Sequence, residues 1–196
     1  MMGENTIILA SGSPRRKQLL TQIRLKFQVV PSGVIEDNHL NLPPEAFVEH
    51  WGRKKAKYVA LDFPDNLVIG ADTIVVLNGH IFGKPRNKNE GYKMLRKLSG
   101  RTHEVITGVA LIWKKREIDI TFNARTNVTF RKIPKDYISY YLDSYNTLDK
   151  AGSYGIQDWF SVWVEKIDGC YYNVMGFPLS TFYQYYLSLN NLQDIR

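Results

Sequence analysis

Four side chains that bind anions lie within residues 11–16 of the chain: Ser11, Ser13, Arg15 and Arg16, in the stretch "SGSPRR". They follow the apolar run Thr6 to Ala10 and precede the apolar positions Leu19, Leu20 and Ile23. A strand that empties into a helix start leaves backbone N–H groups unpaired, and these suit an anion. The two serines add hydroxyl donors, and the arginines add planar, multiply donating charge matched to phosphate oxygens. The spacing is not that of a Walker A loop. The same residues also describe a capped surface helix with solvated arginines. Asp72, in "VIGADTIVV", is the other unusual group. A carboxylate between apolar segments is costly to bury without partners. There it can hold a metal ion or orient a water, or simply bond its own backbone in a turn.

Further candidates are weaker. Lys55 lies in a basic helical stretch, where a charge run is usually a solvated face. Lys84 sits between Gly83 and Pro85 in a stiff loop that can aim an ammonium group. Glu36 and Asp37 are possible acidic ligands or plain loop charges. Gln157 closes the small-residue stretch "DKAGSYGIQ", and its amide can both donate to and accept from a base edge.

The elements that must position these groups follow from pattern. Residues 6–10 read as a short buried strand. Pro14 suits the first helical position, with Ser13 as N-cap. "KFQVV" reads as a strand, and "LPPEAFVEHWGRKKAKYVAL" as a helix with Phe47, Val48, Trp51 and Val59 facing inward. "NLVIGADTIVVLNGHIF" is β-rich on both sides of a break at residues 70–73, and Asn78-Gly79 predicts a hairpin. A helix ends at Gly100. Two strands follow, joined by a solvated tip at "KKRE", then a helix from "PKDYISYYLDS", a strand from "FSVWVEKIDG" and a closing helix from "PLSTFYQYYLSL". Strands and helices alternate first and hairpins come later, which predicts a mixed α/β (α+β) fold. The length allows one domain or two closely packed lobes, and a division near 84–101 has no compositional mark.

Composition narrows the function. The 196 residues are 44% hydrophobic and 23% charged, ordinary for a soluble globular protein. A net charge of +7 favours anionic partners, but without a long basic run it does not single out nucleic acid, and the tyrosines of "YQYY" are at packing spacing. One cysteine, Cys170, excludes an internal disulfide and a cysteine-based zinc site. The start lacks the pattern of a signal peptide and no apolar run approaches a membrane span, so the expected location is the cytoplasm.

Taken together, "LASGSPRRKQLL", "KKAKYVA", "VIGADTIVV", "GKP", "MLRKLSGRTHEVITGVAL", "DKAGSYGIQ", "VEKIDG" and "YNVMGFPL" resemble the Maf family of nucleoside triphosphate pyrophosphatases. The pieces occur in the family's order from near residue 7 to near residue 180. The resemblance implies cleavage between the α and β phosphates of a nucleoside triphosphate. It implies one domain over 1–196 with the two-lobed architecture of inosine triphosphate pyrophosphatases: a central mixed sheet and an active site in the inter-lobe cleft. Pro-Arg-Arg, Ala-Asp-Thr and Gly-Ile-Gln resemble the branch acting on dTTP and UTP and on some modified pyrimidine nucleotides. By that match Asp72 is the proton acceptor, and Arg15, Thr73 and Gln157 tune substrate choice. Ser11, Ser13, Arg16, Lys55 and Lys84 serve the phosphates, and Glu36 with Asp72 holds a divalent cation, Mg2+ by expectation. A homodimer is also implied. The alternatives are a non-enzymatic nucleotide-binding regulator of septum formation and a pyrophosphatase for other nucleotides such as 7-methyl-GTP. Trp159 and Phe160 depart from the family's small residues and are expected to narrow or reshape the base pocket. Trp51-Gly52 replaces a more usual Leu-Ala.

Overall fold

A computed structural model of the protein describes residues 6–36 and 40–191. Asp37 lies outside the described residues. The order is β1 (Ile7–Leu9), α1 (Pro14–Gln22), β2 (Phe27–Val29), α2 (Pro44–Ala60), β3 (Val68–Leu77), β4 (His80–Phe82), α3 (Lys88–Leu98), β5 (Thr102–Trp113), β6 (Ile118–Phe130), α4 (Lys135–Ser144), β7 (Val164–Asp168), α5 (Tyr171–Val174) and α6 (Leu179–Asn191). The strands make one mixed sheet in the order β2-β1-β3-β5-β6-β7, with β4 also on β3. β1 runs parallel to β2 and β3, and the remaining pairs are antiparallel. The mixed α/β reading therefore holds.

β3 is continuous through Gly70 to Thr73, which corrects the expected break at Asp72. All of Val68 to Val76 pairs with β5 on one edge, so the backbone there is held by a full ladder. The opposite edge is different. β1 reaches only Ile69 and β4 begins only at Val75, so residues 70–74 have no strand beside them on that side. This gap is the key feature of the topology.

Side chains of β3 alternate between two faces. On one face lie two cores. Ile69 and Ala71 pack with α1, α6, Val109 and Phe177, and Val75 and Leu77 pack with α3, α4, Val128 and Phe130. Thr73 sits between them on the same strand, and its hydroxyl bonds that of Thr107 on β5 at 3.0 Å. The two lobes thus share β3, β5 and β6, and a polar seam divides their cores. No composition change marks the division because the same strands run through both. On the other face α2 packs on Gly70 and Gly108. A Cβ on Gly70 would fall 2.2 Å from the Gly52 carbonyl oxygen, and one on Gly108 would fall 2.4 Å from the Val48 carbonyl carbon. The helix approaches to backbone contact, which the Gly52 in place of a larger residue permits.

Local signals were otherwise well placed. The Asn78-Gly79 hairpin has φ of 51° and 78°, and Gly100 ends α3 at φ 70°. The tip of the β5–β6 hairpin is the exposed turn Lys114–Arg116, with Arg116 over the Trp113 ring. Two readings need correction. Ser13 is the N-cap of α1, but its side chain makes no cap bond, and its N–H instead donates to Ser11 Oγ at 3.3 Å. The expected strand from Phe160 begins only at Val164, because Trp159–Trp163 forms a 3-10 turn opened by Asp158 Oδ1 on the Phe160 N–H. Among the described residues no helix is long and apolar enough to cross a membrane.

Candidate active site

A cavity of about 420 Å3 opens beside the unpaired edge of β3. Its position follows from the topology. The loop after β1 and the first turn of α1 lie at the carboxyl end of a parallel strand, the usual crevice of such sheets. At a free strand edge, side chains of both faces reach one space, so Asp72 and Thr73 line the same cleft although they point to opposite faces. Five cationic side chains line it (Arg15, Arg16, Lys55, Lys84 and Lys150) against three carboxylates (Glu36, Asp72 and Asp149), leaving a formal charge of +2.

The close approach of α2 carries Lys55 onto Asp72. Lys55 Nζ lies 2.8 Å from Asp72 Oδ1 and 2.7 Å from Glu36 Oε1. Lys55 and Asp72 are buried, at 8% and 6% exposure, and Glu36 is more open. Burial raises the Asp72 carboxyl above its ordinary range and Glu36 adds to this, while Lys55 and Arg16 pull the other way. Asp72 Oδ2 has no hydrogen-bond partner among the described residues. Lys55 is therefore not a bare phosphate cation; it is the counter-charge that makes two converging carboxylates tolerable.

Arg16 is also committed to protein. Its Nε donates to the Gly176 carbonyl at 2.9 Å, Nη1 to Ser11 Oγ at 3.0 Å and Nη2 to Thr73 Oγ1 at 2.9 Å. Burial lowers its affinity for the proton, with Asp72 and Glu36 opposing, and an arginine so placed remains a cation. Two of its five N–H groups are left over. Thr73 Oγ1 is crowded by Arg16, Thr107 and the Gly176 carbonyl. The α5–α6 turn that supplies Gly176 is itself pinned by Asn173, wholly buried, whose Nδ2 donates to the carbonyls of Val105 and Ala124 and to Thr126 Oγ1.

Ser11, Ser13 and Lys84 line the cleft, Lys84 as an exposed group. Gln157 does not join them. It is exposed, with Nε2 donating to Gln18 Oε1 at 3.4 Å on the outer side of α1, while its neighbours Gly155 and Ile156 face the cavity. Trp159 and Phe160 do not narrow the cleft. Phe160 is fully buried against Phe130, Tyr141 and Tyr154, and Trp159 packs among Tyr137, Tyr140 and Tyr145. Apolar rings beside a polar loop turn to the available core, which lies behind that loop.

Sequence reasoning missed Asp149, Lys150 and Gly176. "DKAG" offered an adjacent acid and base, but no local pattern pairs Asp149 with Arg15, 134 positions away. Gly176 acts through its carbonyl, which has no side-chain signature.

Among the described residues no group of three or more His, Cys, Asp or Glu side chains converges as a metal cage. The convergence of Glu36 and Asp72 on one cation is a two-carboxylate donor set. That fits Mg2+, which is commonly held by one or two carboxylates plus substrate phosphates.

The chain is 45% identical over 174 residues to the dTTP/UTP pyrophosphatase of Syntrophus aciditrophicus (strain SB), covering 89% of this chain and 85% of that protein. It is 48% identical over 180 residues to the dTTP/UTP pyrophosphatase of Bacillus cereus (strain ATCC 10987 / NRS 248), covering 91% and 88%. Among solved structures, the Staphylococcus aureus Ham1 protein matches 64% of this chain and 71% of its own at 15% identity and a TM-score of 0.44. The family model described as Maf-like protein matches residues 6–188, so the chain belongs to the Maf-like protein family.

Proposed function

We propose that the protein is a nucleoside triphosphate pyrophosphatase that hydrolyses dTTP and UTP to the nucleoside monophosphate and pyrophosphate. The observation that carries the reading is the pair of carboxylates on Lys55 at the free edge of β3, lining one cleft together with the first turn of α1. The relatives named dTTP/UTP pyrophosphatase, at 45% and 48% identity over most of both chains, support the substrate.

The chemistry follows from the charges. A triphosphate brings about four negative charges near neutral pH, more than the cleft's +2 offsets. A divalent cation held by Glu36 and Asp72 would supply the missing charge and polarise the phosphate oxygens. Lys84 and the first-turn amides of Arg15 and Arg16 bind phosphate oxygens. Asp72 Oδ2 accepts a proton from the attacking water. The water oxygen forms a bond to the α-phosphorus, the bridging α–β oxygen leaves with the bonding pair, and pyrophosphate departs. Arg16 and Thr73 hold the floor of the cleft rather than gripping substrate. Gln157 reaches substrate only if it leaves Gln18. The reading places the enzyme in the cytoplasm, where its substrates are, with no nucleic-acid partner and with the homodimer that the family resemblance implies.

The test is pyrophosphate release from dTTP, UTP, CTP, ATP, GTP and 7-methyl-GTP with Mg2+. Release is expected from dTTP and UTP and is lost on chelation. Asp72→Asn is expected to lower it about 1,000-fold, within the range for removing a general base, while the far-ultraviolet circular dichroism is kept. Wild-type turnover in that variant removes Asp72 from the mechanism. Nucleotide binding without pyrophosphate release would favour the regulatory alternative.

A further inference from the structure

On the wall of the cleft, Arg15 on α1 crosses to the loop that follows α4. Its Nη1 donates to Asp149 Oδ2 at 2.9 Å and its Nη2 to the Asp149 backbone carbonyl at 3.1 Å. The other carboxylate oxygen, Oδ1, takes Lys150 Nζ at 2.9 Å, and Lys150 also donates to the Asn146 carbonyl. Arg15, Asp149 and Lys150 all line the cavity. Burial works against the Asp149 charge, but Lys150 and Arg15 together hold the carboxyl below its ordinary range.

An acid in a pocket that receives a polyanion is unfavourable unless it does something there. A lone arginine on a first helical turn would sample many rotamers. Two parallel bonds to one residue fix the plane of a guanidinium. With those two N–H groups taken, three of the five remain, and their direction is set by Asp149. We propose that Asp149 is a positioning residue: it holds Arg15 at the cleft wall so that the remaining N–H groups meet the nucleotide in a fixed orientation, and it thereby controls substrate affinity through Arg15. The proposal rests on the reading of the cleft as a nucleoside triphosphate site.

Asp149→Asn keeps the size and the backbone acceptor but removes the charge that anchors Arg15. With Mg2+ and dTTP, KM is expected to rise about tenfold, the order of one charge-assisted hydrogen bond, with kcat within twofold. This split is what a lost binding contact gives. Arg15→Ala is expected to raise KM similarly, and adding Asp149→Asn to it is expected to change KM no further, because Asp149 acts through Arg15. Should Asp149→Asn not fold, Arg15→Lys, which keeps charge but cannot make both bonds, carries the same expectation. An unchanged or lowered KM in Asp149→Asn overturns the proposal, since Asp149 would then only stabilise the lobe or compete with substrate for Arg15. Independent, multiplying effects in the double variant also overturn it. Absence of pyrophosphate release by the unaltered protein from every nucleotide overturns the functional reading and this proposal with it. Release with unmoved KM in the variants overturns this proposal alone.

Discussion

Replacing Lys55 by methionine isolates the electrostatics of the site. Lys55 Nζ contacts Asp72 at 2.8 Å and Glu36 at 2.7 Å. At an effective dielectric constant near 20, each contact is worth roughly 6 kcal/mol of attraction. Dehydrating the ions offsets much of this, by several kcal/mol per ion. Removing only the lysine leaves that dehydration uncompensated at Asp72, which is 6% exposed. The expected loss is about 3–5 kcal/mol at pH 8, the range for breaking a buried pair. With a urea slope of roughly 2 kcal/mol/M, the unfolding midpoint falls by about 1.5–2.5 M. Asp72 already has a raised proton affinity, and without Lys55 it rises further. Between the unfolded carboxyl value and the folded one, the folded state binds more protons than the unfolded state. Stability therefore falls as pH rises through this window. The penalty of Lys55→Met is expected to be largest at pH 8 and to shrink toward pH 5. Adding Asp72→Asn is expected to restore most of the stability, since a neutral amide needs no counter-charge. Urea titrations at both pH values check this. A loss below about 1 kcal/mol at pH 8, a pH-independent loss, or no recovery in the double variant would refute the reasoning.

Two further perturbations probe the frame around the site. His103 is 1% exposed, its Nε2 lies 2.8 Å from Tyr154 Oη, and burial pushes its pKa down to about 3. The unfolded chain takes up a proton near pH 6.5 that the folded chain refuses, so His103 lowers stability as pH falls from about 6.5 toward 3, at up to roughly 1.4 kcal/mol per pH unit. His103→Gln is expected to flatten this part of the pH dependence, read as urea midpoints at pH 7, 5.5 and 4.5; parallel curves for both proteins would exclude His103 as the cause. Gly108→Ala places a methyl 2.4 Å from the Val48 carbonyl carbon, where only backbone can yield. It is expected to lower stability by about 3 kcal/mol or more and to reduce turnover by shifting Lys55. Gly83→Ala, with nothing within 4 Å of the added Cβ, is the control and should leave the melting temperature within a few degrees.

What the sequence determined by itself is the set of features fixed over a few residues. The strand, loop and proline-started helix at 7–22, the Asn-Gly hairpin and the helix end at Gly100 depend on local sterics and on apolar spacing, which are printed in neighbouring residues. The resemblance carried by the quoted motifs also placed Ser11, Ser13, Arg15, Lys84 and Asp72 on one cleft before any contact was visible. The roles of those groups were decided by tertiary structure. Arg16 and Lys55 read alike as cations, yet one braces the seam between two cores and the other neutralises a pair of acids. Asp72 looked like a break in a strand, and it is instead part of a full ladder on one side and an empty edge on the other. That edge exists because β1 stops at Leu9, opposite Ile69, and β4 stops at Phe82, opposite Val75, two ends set by packing far apart in the chain. Trp159 and Phe160 turned away from the cleft because an apolar core lay within reach behind them. Arg15 meets Asp149, 134 positions away, because the loop after α4 returns to the first turn of α1. The energy of such contacts depends on where separate elements meet, and that is fixed only when β3, β5 and α2 have closed to backbone contact at Gly70 and Gly108.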